Sequence, residues 1–121
     1  MCKILAVDDN FTALTYYKKA MSNLKHEVIV AHHGKMALEL LNEKNINYDI
    51  ILLDMEMPIM NGIETVKEIR KINKTIPIIM VSAYSSNDLI KEALTVGATD
   101  YYIKPLTMNR LENVINTYTL A

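Results

Sequence analysis

The stretch DIILLDMEMP, Asp49–Pro58, decides how the chain folds. Its four apolar residues, Ile50–Leu53, run directly into an aspartate, Asp54, and Pro58 closes the segment. A run that is apolar at every position is typical of a strand covered on both faces, as in a parallel sheet, because a half-exposed strand would alternate. The pattern therefore places a carboxylate at the carboxyl end of a buried strand. Taken alone, Asp54 is best explained as a turn residue.

The composition is that of one ordinary globular domain. The chain has 121 residues, which suits a single domain over residues 1–121. The net charge of -1 argues against a broad nucleic-acid-binding surface, so we expect no direct nucleic-acid binding. The single cysteine, Cys2, excludes an internal disulfide. No apolar run approaches the roughly 20 residues that cross a bilayer, so we expect a cytoplasmic domain without membrane insertion.

Short apolar runs alternate with amphipathic stretches along the whole chain, which predicts five strands, each followed by a helix. The predicted strands are Lys3–Val7, Glu27–Ala31, Asp49–Leu53, Pro77–Ser82 and Thr99–Ile103. Right-handed crossovers between such strands give a three-layer (βα)5 α/β sandwich, doubly wound around a five-stranded parallel sheet.

Capping residues indicate where the later helices begin and end. Ser85 followed by Asp88 resembles a capping box and predicts the start of the fourth helix. Gly97 is predicted to end that helix, and Thr107 to begin the fifth.

Polar side chains stand at the carboxyl ends of four of the five predicted strands. They are Asp8 and Asp9 after the first strand, Asp54 after the third, Ser82 at the end of the fourth and Lys104 after the fifth. In a parallel α/β sheet these ends meet at one edge, where ligands bind. Each residue alone has an ordinary explanation; for example, Asp8, Asp9 or Asn10 could cap the following helix. Polar groups supplied independently by four strands favour a common site.

Three neighbouring carboxylates need a positive partner. Because like charges repel at short range, the pKa of at least one acid should rise unless a cation joins the group. Lys104 supplies too little charge alone, whereas Mg²⁺ commonly takes one or two protein carboxylates and keeps several waters. We expect the incoming anion to be a phosphoryl group, which a carboxylate attacks to form an aspartyl-phosphate. Asp54 is then the nucleophile, Asp8 and Asp9 serve the metal, and Lys104 and Ser82 hold phosphoryl oxygens.

Four motifs at these positions resemble those of response-regulator receiver domains, the CheY-like domains of two-component signalling. They are VDDN (Val7–Asn10), LLDMEMPIMNG (Leu52–Gly62), MVSAY (Met80–Tyr84) and YYIKPL (Tyr101–Leu106). Each motif is weak alone, but the four occur in order and cover essentially the whole chain. The resemblance implies the strand order 2-1-3-4-5.

The resemblance also implies roles for the acidic residues. Asp54 is the phosphoacceptor by position, and Asp8 and Asp9 are the acidic pair. Asp9 would bind Mg²⁺ directly and Asp8 largely through water. The backbone carbonyl of Glu56 would complete the protein ligands.

The remaining motif residues match the phosphate-binding and switch positions of the family. Ser82 matches the hydroxyl position, and Lys104 matches the phosphate-binding lysine. Tyr101 matches the aromatic switch residue, although an aromatic in a last strand is often only a packing residue. The bond between Lys104 and Pro105 matches one that is cis in the family. Tyr84, two residues beyond Ser82, would flank the route of attacking water.

The function implied by the resemblance is that of a signalling phosphoacceptor. A sensor histidine kinase or a histidine phosphotransfer protein would supply the phosphoryl group. The face formed by the fourth helix, fifth strand and fifth helix would then bind a downstream effector protein. The chain would be no enzyme in the usual sense, since it would promote only its own phosphorylation and dephosphorylation.

Alternatives from other functional classes stay open at this point. One is a receiver-like interaction module that signals without phosphorylation, and another is the N-terminal receiver of a longer transcriptional regulator. A flavodoxin-like cofactor binder would share the architecture, but the acids after the first strand would repel a cofactor phosphate. A magnesium-dependent phosphatase would use similar chemistry, but DMEMP (Asp54–Pro58) lacks that family's DxD arrangement.

Overall fold

The computed structural model describes residues 1–43 and 46–119. Its elements, in chain order, are β1 (Lys3–Val7), α1 (Phe11–Asn23), β2 (Glu27–Ala31), α2 (Gly34–Asn42), β3 (Ile50–Asp54), α3 (Gly62–Ile72), β4 (Ile78–Ser82), α4 (Asn87–Val96), β5 (Asp100–Ile103) and α5 (Met108–Thr119). The strands form one parallel sheet in the order β2-β1-β3-β4-β5. The predicted (βα)5 fold class and strand order are confirmed.

The sheet is covered by helices on both faces. Side chains on one face pack with those of α1 and α5, and side chains on the other face pack with those of α2, α3 and α4. Successive residues of a strand point to opposite faces, so a strand between two helical layers is apolar throughout. The central run Ile50–Leu53 fits this rule, since none of its residues is more than 1% exposed.

Strand boundaries agree with the predictions for β1 and β2 and differ by one residue in the other three. β3 is shifted toward its carboxyl end, where Asp54 is still paired with Val81 of β4. β4 begins after Pro77, which has no N–H to donate to a neighbouring strand. β5 begins after Thr99, whose hydroxyl accepts a hydrogen bond from the backbone N–H of Ile78 at 3.0 Å.

Two of the three predicted helix boundaries in α4 and α5 are confirmed. Gly97 ends α4 with a φ of 124°, and the hydroxyl of Thr107 accepts a hydrogen bond from the first turn of α5. The predicted cap at Ser85 is wrong, because Ser86 caps α4 by accepting a bond from the backbone N–H of Leu89. The helix begins at Asn87, so Ser86 occupies the N-cap position and Ser85 lies one residue outside it.

The prediction of one domain over residues 1–121 includes residues 44–45 and 120–121, which lie outside the described residues, and it stays a prediction. Among the described residues, no helix combines the length and apolar character needed to cross a membrane.

Candidate functional site

Three carboxylates meet at the carboxyl edge of the sheet. Asp8, Asp9 and Asp54 each place one oxygen so that all three oxygens lie within 4.8 Å of one another. The sheet order explains the meeting, because β1 and β3 are neighbours and Val7 is paired with Leu53. Asp8 and Asp54 are buried, whereas Asp9 is exposed. The structure thus brings together the three acids that the sequence predicts.

The capping alternative for these acids is resolved by Asn10. Its side chain accepts a hydrogen bond from the backbone N–H of Ala13 at 3.1 Å and so caps α1. One oxygen of Asp8 accepts the backbone N–H of Asn10 at 2.9 Å, and that bond shapes the loop after β1. The second oxygen of Asp8 accepts a hydrogen bond from Nζ of Lys104.

Lys104 reaches this group from a more distant strand. Its Nζ lies 2.9 Å from Oδ2 of Asp8 and 3.3 Å from Oδ1 of Asp54. β4 separates β5 from β3, so a long side chain is needed to cover the distance. The backbone N–H of Lys104 donates to the carbonyl of Ser82 at 2.8 Å, and the Lys104–Pro105 peptide bond is cis, as the resemblance implies.

The charges of the site are incompletely balanced. Burial raises the pKa of Asp54 to about 6, and repulsion by Asp8 adds to the rise, while Lys104 opposes it. Burial lowers the pKa of Lys104, but its hydrogen bond to Asp8 and its attraction to Asp54 outweigh burial, so the net direction is upward. One lysine does not restore the ordinary acidity of Asp54, and the site favours further positive charge.

The donor set fits a hard divalent cation. It consists of carboxylate oxygens, which Mg²⁺ prefers, and the exposed Asp9 leaves one side open to water. Glu56 lies two residues beyond Asp54 with its side chain exposed, and the resemblance implies its backbone carbonyl as the ligand. The individual ligand roles of Asp8, Asp9, Asp54 and Glu56 stay predictions.

The loop between β3 and α3 is closed tightly beside Asp54. The backbone N–H of Gly62 donates to the carbonyl of Met55 at 2.8 Å and joins the two ends of the loop. A Cβ at Gly62 would lie 2.7 Å from the backbone oxygen of Asp54, so only glycine permits this approach. Asn61 and Glu64 form a capping box that begins α3. The loop therefore holds the carboxyl end of β3 in a defined position.

Ser82 and Tyr101 are joined through the backbone of Tyr84. Ser82 is fully buried at the end of β4, and its Oγ accepts the backbone N–H of Tyr84 at 3.1 Å. The hydroxyl of Tyr101 donates to the backbone carbonyl of Tyr84 at 2.9 Å. The sequence does not reveal this link, because it depends on backbone groups. The phosphate-binding role of Ser82 and the switch role of Tyr101 stay predictions.

Two tyrosines of α1 also belong to the surroundings of the site. Burial, together with the charges of Asp8 and Asp54, raises the pKa of Tyr17. The hydroxyl of Tyr16 donates to the backbone carbonyl of Leu106, in the loop between β5 and α5, at 2.7 Å. The helical spacing of Tyr17 predicts only a core residue, and no sequence signal indicates the contact of Tyr16.

Comparisons with known proteins agree with this geometry. The family model described as response regulator receiver domain matches residues 4–116. The transcriptional regulatory protein ZraR of Klebsiella oxytoca is 42% identical over 109 residues, which are 90% of this chain and 24% of that protein. The chain thus spans about a quarter of the length of this curated relative.

Solved structures share the whole fold. The chemotaxis protein CheY4 of Vibrio cholerae is 31% identical, with a TM-score of 0.90 and 98% of both chains covered. The receiver domain of the sensor histidine kinase PA1611 of Pseudomonas aeruginosa is 25% identical, with a TM-score of 0.89 over 99% of this chain and 98% of that one. That structure holds a magnesium ion coordinated in its active-site cleft.

Proposed function

The chain belongs to the response regulator receiver domain family, and on that premise we propose that it accepts a phosphoryl group on Asp54 in a Mg²⁺-dependent reaction. One observation carries the proposal: Oδ1 of Asp54 lies 3.3 Å from Nζ of Lys104. The same carboxylate lies beside those of Asp8 and Asp9. An ordinary turn aspartate would be solvated, whereas Asp54 is only 6% exposed.

The residues of the chain suit an in-line transfer. A carboxylate oxygen of Asp54 forms the bond to phosphorus while the phosphorus–nitrogen bond of a phosphohistidine breaks. The imidazole nitrogen leaves with the electron pair and takes up a proton from solvent. Lys104 pairs with the ionised form of Asp54 and offers its ammonium to a phosphoryl oxygen, and the hydroxyl of Ser82 is the proposed donor to another.

Mg²⁺, held by Asp9, Asp54, the Glu56 carbonyl and, largely through water, Asp8, would supply neutralising charge at the phosphoryl oxygens. The fit of the oxygen donors and the raised pKa of Asp54 support this ion. The magnesium ion in the related Pseudomonas receiver domain supports it as well.

The proposed consequence of phosphorylation is a shift between two pre-existing conformations. The product adds negative charge at Asp54, which is paired with Val81, the residue before Ser82. Ser82 is linked through Tyr84 to the hydroxyl of Tyr101. A change at Ser82 thus has a short route to Tyr101 on β5. The face formed by α4, β5 and α5 then binds a downstream effector protein. The donor is a sensor histidine kinase or a histidine phosphotransfer protein, and the chain promotes only its own phosphorylation and dephosphorylation.

The test is phosphorylation by a small donor. Wild-type protein is incubated with Mg²⁺ and acetyl phosphate, and its intact mass is measured. We expect the mass of one phosphoryl group in wild type and in Asp49→Asn, a control at the other end of the same strand. Asp54→Asn should gain none. A wild type that stays unmodified, or an Asp54→Asn variant that gains as much as wild type, would contradict the proposal.

A further inference from the structure

The loop that carries Lys104 is attached to α1 by a side-chain hydrogen bond. The hydroxyl of Tyr16 donates to the backbone carbonyl of Leu106 at 2.7 Å and joins residues that are 90 positions apart. Leu106 follows Lys104 by two residues, across a cis peptide bond. We infer that Tyr16 is a positioning residue that holds the β5–α5 loop so that Lys104 stays between Asp8 and Asp54. The inference rests on the proposed phosphoacceptor function.

An open groove separates α1 from the loop beside this hydrogen bond. Its volume is about 660 Å³, and its lining includes Tyr16, Tyr17, Lys104, Pro105 and Leu106. Where a loop is packed on every side, many contacts share the task of holding it, and the loss of one hydroxyl matters little. Beside an open groove fewer contacts hold the loop, so the hydroxyl of Tyr16 contributes more.

Other contacts also hold the loop. The backbone N–H of Lys104 donates to the carbonyl of Ser82 at 2.8 Å and fixes the start of the loop to β4. The side chain of Leu106 is 4% exposed and packs in the core cluster that also contains Leu14 and Tyr17 of α1. The hydroxyl of Thr107 caps α5 and fixes the end of the loop. Among the described hydrogen bonds, that of the Tyr16 hydroxyl is the one that joins the backbone of the loop to α1, the helix that follows Asp8 and Asp9.

The side chain of Lys104 can shift little without losing its contacts to Asp8 and Asp54. Its Nζ must reach one carboxylate at 2.9 Å and another at 3.3 Å, and it approaches them from the far side of β4. A displacement of about 1 Å is enough to cost a transfer reaction a large part of its rate. The ordinary pKa of tyrosine is about 10, so the hydroxyl of Tyr16 is a donor at neutral pH, and burial raises that pKa further.

The experiment removes only the hydroxyl, in Tyr16→Phe. The rate of Asp54 phosphorylation is measured by intact mass over a range of acetyl phosphate concentrations at saturating Mg²⁺. We expect the maximal rate to fall about tenfold, since Lys104 would act on the transferring group. The matched control is Tyr118→Phe, which loses a hydroxyl bond to Asp100 and leaves the β5–α5 loop intact. The control should keep the wild-type rate.

A double-mutant cycle distinguishes positioning of Lys104 from a general structural loss. If Tyr16 acts through Lys104, then Tyr16→Phe has no further effect in a Lys104→Ala background. An equal slowing with and without Lys104, or a wild-type rate in Tyr16→Phe, would overturn the inference while the phosphoacceptor function stands. A wild type that takes up no phosphoryl group would overturn both. A cooperative thermal transition in each variant checks that the fold is retained.

Discussion

The aspartates at the two ends of β3 lie in different environments. Asp49, just before the strand, is exposed, and its carboxylate accepts the backbone N–H of Lys3 at 2.8 Å. Asp54, the last residue of the strand, is 6% exposed, and its pKa is raised to about 6. Both residues are aspartates, and each lies at one end of the same strand. Their neighbours differ, because the carboxyl edge brings Asp54 together with Asp8, Asp9 and Lys104 from other parts of the chain.

The largest effect that tests this contrast is expected at Lys104. Lys104→Ala should lower the rate of phosphorylation by acetyl phosphate about 100-fold, because a positive donor aimed at the transferring group is lost. Lys3→Ala is the control. Nζ of Lys3, at the start of β1, lies 3.4 Å from the carboxylate of Glu27, at the start of β2. Both residues therefore lie away from the carboxyl edge. Equal phosphorylation rates for Lys104→Ala and Lys3→Ala would show that Lys104 takes no part in the reaction.

The second expected effect concerns stability without metal. The pKa of Asp54 is about 6 in the folded protein against an ordinary 3.8, so the folded form holds the proton more tightly. The stability gained from this protonation is fully present below the ordinary pKa and is lost as the pH rises through about 6. In EDTA at about pH 7.5, Asp54→Asn should therefore be more stable than wild type by about 1–3 kcal/mol.

Urea denaturation at two pH values measures this difference. At about pH 3.5 the advantage of Asp54→Asn should largely vanish, because the wild-type carboxyl is then fully protonated in the folded state and mostly protonated in the unfolded state. Asp49→Asn should show no such gain at either pH, since Asp49 is exposed and hydrogen-bonded to Lys3. An Asp54→Asn variant less stable than wild type at the higher pH would show that the site charges are balanced without a metal.

The smallest expected effect is the stabilisation by Mg²⁺. An ion that binds only the folded state adds about 1.4 kcal/mol at roughly ten times its dissociation constant. Thermal unfolding should show this gain in wild type and in Asp49→Asn, and the gain should be much reduced in Asp9→Asn. Calcium-free solutions and matched ionic strength exclude general salt effects. An equal response in all three proteins would place the ion elsewhere.

The sequence predicts the components of the site because each obeys a short-range rule. The apolar run at Ile50–Leu53 identifies a two-sided strand, and parallel strands present their carboxyl ends together. Asp8, Asp9 and Asp54 follow directly from that rule. The meeting of Lys104 with them is predicted as well, although the resemblance rather than spacing supplies its role.

These short-range rules do not predict contacts that depend on tertiary packing. The bond from Tyr16 to Leu106 joins residues distant in the chain, and nothing in the local pattern around either one indicates it. The link between Ser82 and Tyr101 passes through the backbone of Tyr84, which leaves no trace in residue identity. Whether Ser85 or Ser86 caps α4 depends on the residue at which the helix begins. Sequence patterns do not locate that residue to within one position.

Locating the phosphoryl group tests the contrast between the two ends of β3. Wild-type protein treated with Mg²⁺ and acetyl phosphate is trapped by borohydride reduction, digested and sequenced by tandem mass spectrometry. The modified residue is predicted to be Asp54, with Asp49 in the same peptide unmodified. Modification at Asp49, at a histidine or at any residue outside the carboxyl edge would contradict the assignment of Asp54 as the phosphoacceptor.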